Sequence, residues 1–141
     1  MVTTDLQGKY HAVPMANGTI GLLPSRSPFT VKSVILGNTY DATKEGISRI
    51  ANSINPFGLE MIVDGVEIAD GNISDWRQVL DMRKACLNTT FSLPGKVEVS
   101  YDIRALRNMP HAALISVVVK ALDNVEIECS LRTAVPKGFY D

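Results

Sequence analysis

Apolar and polar residues alternate most clearly in the second half of the chain. Leu87, Thr89, Phe91 and Leu93 share one parity, with Asn88, Thr90 and Ser92 between them. Val97, Val99, Tyr101 and Ile103 then alternate with Lys96, Glu98, Ser100, Asp102 and Arg104. Period 2 with polar residues opposite marks half-buried antiparallel strands. Pro94-Gly95 between them suits the centre of a type II turn, so residues 85–93 and 96–106 read as a hairpin. Asn108-Met109-Pro110 breaks the pattern. Ala112 to Leu122 is β-branched and apolar at both parities until Lys120, which reads as a central strand buried on both faces. After the Asp123-Asn124 turn, Val125, Ile127, Cys129 and Leu131 alternate with Glu126, Glu128, Ser130 and Arg132, another one-sided strand. The expected arrangement is a single meander of residues 85–93, 96–106, 111–122 and 125–132.

The first half is less regular. Asp64-Gly65 separates Leu59–Val63 from Val66–Ile68, a strong signal for a tight hairpin. Val31–Leu36 and Trp76–Met82 read as strands. Ile47, Ile50 and Ile54 fall at helical spacing, but Gly46 interrupts, so residues 42–53 are read as a loop or short helix. Pro14–Pro28 is broken by Gly and Pro and reads as loop with short strands. Eight or nine short strands and no convincing helix predict an all-β protein, an antiparallel β-sandwich. The last expected strand has an apolar face with no further element to cover it, so residues 1–141 are expected to form a single β-domain that is the first part of a larger sandwich.

Composition narrows the function classes. The 141 residues suit one domain, and 45% apolar with 21% charged residues is ordinary for a globular chain. Net charge is −1, with 14 basic and 15 acidic residues dispersed, so no electrostatic footprint for nucleic acid is present. The longest apolar stretch, Ala112–Val119, is far too short to span a bilayer as a helix, so no membrane partner is expected. The opening Met1-Val-Thr-Thr-Asp has neither a basic start nor an apolar run. That leaves a cytoplasmic location, or export with a signal already removed, both open.

Candidate chemistry is sparse. Cys86 and Cys129 sit among β-forming neighbours and read as buried free thiols, with a disulfide as the alternative. No Cys/His cluster has metal-ligand spacing, so no metal site is predicted. His11 and His111 lie far apart in sequence and read as structural or surface residues. Asn17-Gly18-Thr19-Ile20-Gly21 lacks the strand and helix of a nucleotide loop and reads as a turn, and no cofactor is expected. Glycosidic bond cleavage uses two carboxyl groups about 5–9.5 Å apart. The candidates are Glu60, Asp64, Glu67, Asp70, Asp75 and Asp81, mostly on polar faces or in turns. Asp81 and Arg83 share parity and are expected to pair as ions on one strand face. No catalytic residue is predicted. Two residues are weak candidates for contact with a carbohydrate. Trp76 has a ring face on which a sugar can stack, against the alternative of core packing. Arg26 has forked donors, against the alternative of a solvated loop arginine. Asn17, Asn72 and Asn88 head three glycosylation triplets, relevant only in a secretory route.

Several blocks in order resemble a known family. They are Asn17-Gly18-x-Ile20-Gly21, then Asn55-Pro56-Phe57-Gly58-Leu59 leading into Val63-Asp64-Gly65, then Leu80-Asp81-Met82-Arg83 running on to Leu87 and Phe91. Val97–Arg104 and Pro110-His111-Ala112-Ala113-Leu114 follow. Together, over roughly residues 14–132, they resemble the N-terminal domain of glycoside hydrolase family 65, which includes maltose, trehalose and kojibiose phosphorylases and related hydrolases. The resemblance implies a galactose-mutarotase-like supersandwich, here in part, followed in the whole protein by a catalytic (α/α)6 barrel that carries the acid–base chemistry. It implies that barrel, a carbohydrate and a homodimer as partners, with support of the barrel, the active-site rim or the dimer as the role. Leu22-Leu23-Pro24-Ser25-Arg26 stands where the phosphorylases carry an arginine-glycine segment, which leaves a divergent, exported hydrolase open. A free-standing carbohydrate-binding sandwich and an interaction domain unrelated to sugars are the rival readings.

Overall fold

A computed structural model describes residues 1–42 and 46–135. Among them there are twelve strands and no helix: β1 (Val2–Thr3), β2 (Met15–Ala16), β3 (Ile20–Pro24), β4 (Val31–Ala42), β5 (Ser48–Asn52), β6 (Asn55–Val63), β7 (Val66–Glu67), β8 (Ser74–Asp81), β9 (Cys86–Leu93), β10 (Val97–Ala105), β11 (Ala113–Ala121) and β12 (Ile127–Ala134). They form a five-stranded sheet in the order β1-β8-β9-β10-β11, a four-stranded sheet β2-β3-β4-β5 and a three-stranded sheet β12-β6-β7. Every pairing is antiparallel. The Thr30–Gly58 bridge joins the two smaller sheets. The all-β sandwich expected from the sequence is present.

Side-chain parity builds the core. β10 buries Val97, Val99, Tyr101, Ile103 and Ala105, and its neighbour β9 buries Leu87, Thr89, Phe91 and Leu93. These meet Leu22, Val31 and Val34 from the four-stranded sheet and Phe57, Met61 and Val63 from β6. Phe29, Phe91 and Tyr101 form an aromatic centre, with ring centroids 4.9–6.4 Å apart. The predicted hairpins have their expected geometry. Lys96 N–H donates to the Leu93 carbonyl and Gly95 has φ 72°, the positive value that a type II turn requires at its third position. Asp64 and Gly65 both have positive φ, as a type I′ turn needs.

Five expectations are corrected. Residues 48–52 are strand β5 rather than loop or helix, paired to β4 through Tyr40–Ile50 and Ala42–Ser48; cross-strand pairing outweighs the helical spacing of the isoleucines. Residues 43–45 lie outside the described residues, as do 136–141. Residues 125–132 do not extend the meander. After β11 the chain leaves the five-stranded sheet and β12 pairs with β6, where Asp64 N–H donates to the Glu126 carbonyl and Asp64 Oδ1 accepts the Glu126 N–H. β11 is an edge strand rather than a central one. Ile115, Val117 and Val119 are half-buried, while Leu114 and Val118 are exposed. Strand β8 ends at Asp81, so Asp81 and Arg83 do not share a strand face. Asp81 Oδ1 instead accepts the Arg83 and Lys84 amides and caps the turn. Cys129 is exposed, and only Cys86 matches the buried free thiol.

Candidate functional site

The best-anchored irregular segment is the Ser25–Thr30 connection between β3 and β4. Ser25 N–H donates to the Thr30 carbonyl, and Thr30 N–H to that of Ser27. Phe29 adopts φ 58°, a left-handed value that a side chain accepts only when its surroundings hold it there. Its ring is buried, and its N–H donates to the buried Tyr101 hydroxyl at 3.2 Å. Gln78 extends this polar thread. Its Nε2 donates to Thr89 Oγ1 at 3.1 Å, and its Oε1 accepts the Tyr10 hydroxyl at 2.8 Å. Burial pushes the Tyr101 and Tyr10 hydroxyls up from their ordinary pKa, so both stay neutral donors and acceptors.

Arg26 lies in this segment. Its Nη1 donates to the Leu6 and Gly8 carbonyls at 2.8 and 2.9 Å, tying the N-terminal stretch to the sandwich. Trp76 is 4% exposed on the inner face of β8, and its Nε1 is buried with no hydrogen-bond partner. A shallow hollow beside it is lined by Thr4, Leu6, Ile73 and Arg77. Both weak sugar-contact candidates therefore abut the N-terminal stretch, where Trp76 faces the core and Arg26 faces backbone carbonyls.

The carboxylates are dispersed over structural contacts. Glu60 pairs with Arg132 at 3.0 Å and accepts the Ser130 hydroxyl. Asp64 pairs with Lys96 at 2.6 Å. The Lys96 hydrogen bond, helped by the Glu126 amide, holds its carboxyl below the usual range. Asp75 accepts the Ser74 hydroxyl at 3.0 Å. Asp70 Oδ2 accepts the Ser27 hydroxyl at 2.9 Å, while its Oδ1 is buried without a partner. Asp70 and Glu67 line an open cleft of about 760 Å³ with Phe57, Leu59 and residues 27–32. The histidines are both exposed and far apart in sequence, His11 before β2 and His111 in the turn before β11. Among the described residues no group of three His, Cys, Asp or Glu can hold a metal. Burial, followed by the Asp102 charge, raises the Cys86 thiol pKa, which makes it a packing residue rather than a nucleophile.

Two features were hidden from sequence reasoning. Asn17 was read as a turn residue and as the head of a glycosylation triplet. Its Oδ1 accepts the Thr19 and Ile20 amides, and its Nδ2 donates to the Leu106 and Pro110 carbonyls, pinning the β2–β3 turn to the β10–β11 connection. The second feature is a groove of about 520 Å³ between the five-stranded and three-stranded sheets. Ile115, Val117 and Val119 of β11 line one wall, and Leu59, Met61, Cys129 and Leu131 line the other. It lies between β11, which ends the five-stranded sheet, and β12, which ends the three-stranded sheet among the described residues. The apolar parity of β11 and β12 was the available signal, but it does not reveal which strands become edges.

The description "Glycosyl hydrolase family 65, N-terminal domain" matches residues 11–138. A kojibiose hydrolase of Mucilaginibacter mallensis is 32% identical over 133 residues, 94% of this chain and 20% of its own length. A kojibiose hydrolase of Flavobacterium johnsoniae is 32% identical over 130 residues, 92% of this chain and 19% of its own. The chain thus spans about a fifth of the length of these relatives. With the match running through nearly all of its strands, the chain belongs to glycosyl hydrolase family 65 and carries that family's N-terminal domain.

Proposed function

We propose that this chain is the non-catalytic front part of the N-terminal β-domain of a carbohydrate-active enzyme that hydrolyses or phosphorolyses α-linked glucosides, and that it supports a catalytic domain elsewhere in the same protein. The observation that carries the reading is the match to two kojibiose hydrolases that are about five times as long as the matched segment. The structure adds physical support, because Glu60, Asp64, Asp70, Asp75 and Asp81 serve a turn cap, ion pairs and hydroxyl contacts at separate places in the fold. In this reading the free edge of β11 and its exposed Leu114 and Val118 are surfaces for the remainder of the protein. A free-standing sugar-binding module has less support, since the only tryptophan faces the core.

The test is a pair of assays on kojibiose, maltose and trehalose, each with and without phosphate. The protein containing the full family architecture is expected to turn over an α-linked disaccharide, and the 141-residue chain none. Turnover by the short chain that disappears on replacing Asp70 or Glu67 with the amide would overturn the reading.

A further inference from the structure

The β2–β3 turn holds the one Asn-Gly pair of the sequence: of eight asparagines, only Asn17 is followed by glycine. Such a pair carries its own chemistry. A main-chain nitrogen can close a five-membered imide on the preceding carboxamide, and glycine, with no Cβ, hinders the required backbone rotation least. Gly18 is exposed, has φ 97°, and leaves open space where a Cβ would stand, so water and base reach the turn. The carboxamide, by contrast, is locked. Its Oδ1 lies 2.9–3.0 Å from Thr19 N, Thr19 Oγ1 and Ile20 N. Its Nδ2 donates to the Leu106 and Pro110 carbonyls. Across the turn, the Thr19 carbonyl accepts the Gly37 N–H at 2.7 Å. A Cβ at Gly37 would stand 2.9 Å from the Gly18 carbonyl oxygen, so main chain packs directly on main chain there. Asn17 Cγ therefore cannot turn onto the Gly18 nitrogen without breaking this clasp.

We propose that Asn17 is a site of self-modification by deamidation, gated by opening of the β2–β3 turn, and that the modification is one-way. When the turn opens, the Gly18 nitrogen bonds to Asn17 Cγ and the Cγ–Nδ2 bond breaks. The Gly18 amide proton passes to solvent base, and Nδ2 leaves as ammonia. Water then opens the imide. Cleavage at Cγ leaves an aspartyl residue, whereas cleavage at the main-chain carbonyl carbon leaves an isoaspartyl residue whose main chain runs through Cβ and Cγ. The net change is amide plus water to carboxylate plus ammonium. Neither product can remake the clasp. A carboxylate only accepts, so it sets oxygen against the Leu106 and Pro110 carbonyls. The isoaspartyl form also lengthens the main chain between β2 and β3, against the Met15–Leu22 and Ala16–Gly21 pairs and the Gly37 contact. The inference uses the clasp alone and is independent of the enzymatic reading above.

The test is peptide-mapping mass spectrometry of the 141-residue chain aged in mildly alkaline buffer, folded and in urea. In urea, the mass gain of amide-to-acid conversion should appear at Asn17 before any other asparagine. In the folded chain it should be slower by about 30-fold or more, the factor set by breaking the clasp. Thr19→Ala removes one contact to Oδ1 and should speed the folded reaction about 2–5-fold without changing it in urea. Gly58→Ala perturbs β6 and β12 away from this turn and should leave the folded rate unchanged. The modified chain, separated by its added negative charge, should unfold at a lower urea concentration than the unmodified one. Equal rates folded and in urea, or faster conversion at another asparagine in urea, would overturn the proposal. So would a Gly58→Ala chain that speeds up as much as Thr19→Ala, which would make global unfolding the gate. A modified chain with the wild-type midpoint would overturn the one-way step, because the turn would have closed again.

Discussion

Replacing Asn17 by Ala tests whether one side chain joins the two halves of the sandwich. Asn17 Oδ1 accepts from Thr19 N, Thr19 Oγ1 and Ile20 N at 2.9–3.0 Å. Its Nδ2 donates to Leu106 O at 2.7 Å and to Pro110 O at 3.0 Å. Four of these five bonds are partly buried, and the fifth is exposed. A net contribution of about 0.5–1 kcal/mol for each partly buried bond gives roughly 2–4 kcal/mol, with the exposed bond replaced by water. The loss is not offset elsewhere, because the Leu106 carbonyl keeps its desolvation when its donor disappears. With a urea slope of about 2 kcal/mol per molar, the unfolding midpoint should fall by about 1–2 M. Asn17→Asp refines the test. It keeps the three accepted bonds and turns an oxygen toward the Leu106 and Pro110 carbonyls, so it should lose at least half as much as Asn17→Ala. A midpoint for Asn17→Ala within about 0.2 M of wild type, or an Asn17→Asp as stable as wild type, would refute the idea that this residue pins the turn.

Three further outcomes are expected. Phe29→Ala should cost about 3–5 kcal/mol in urea unfolding, as emptying a buried aromatic site does. Phe29→Gly should be no less stable than Phe29→Ala although it removes one carbon more, because glycine accepts φ 58° without strain; a Gly variant weaker than Ala by about 1 kcal/mol or more would deny that strain. Gly58→Ala should cost about 1–3 kcal/mol and lower hydrogen-exchange protection along β12, since the added Cβ meets the Arg132 backbone; unchanged protection at Glu128 and Arg132 would sink that expectation. Asp64→Asn should alter the acid limb of stability. The folded carboxyl lies below its ordinary value of 3.8, so its contribution is present above that value and is lost as pH falls through the lower folded value. The wild type and variant should therefore converge in strongly acidic solution, and curves that stay parallel down to that range would contradict the Lys96 pairing.

The strands that alternate cleanly were legible, and so were the turns with obligatory chemistry. β9 and β10 bury the parity that the sequence showed, and Pro94-Gly95 and Asp64-Gly65 form tight turns because few other residues accept their dihedrals. Partner choice was not legible. The run from Val125 to Leu131 says that a strand forms, but nothing local says that it joins β6 rather than β11. β5 was missed because its helical spacing is a local signal, whereas its strand state comes from β4. The roles of Arg26 and Asn17 lay beyond reach for a related reason. Their partners Leu6, Gly8, Leu106 and Pro110 contribute backbone carbonyls, which leave no mark in a sequence.

The misreading of β11 has a physical meaning of its own. Ala112–Leu122 is apolar at both parities, the signature of a strand covered on two faces, yet β11 has one half-buried face, one exposed face and a free edge. Val118 and Leu131 are among the most exposed large apolar side chains in the described structure, at 66% and 73%; Leu131 lines the inter-sheet groove, whereas Val118 lies on the opposite face of β11 from Ile115, Val117 and Val119. Apolar side chains scattered singly over a surface need no explanation, but here they lie on two strands that, among the described residues, end their sheets. Each square ångström of apolar surface covered there gains about 25 cal/mol. The residue pattern of β11 and β12 is thus suited to an assembled state in which those strands are covered.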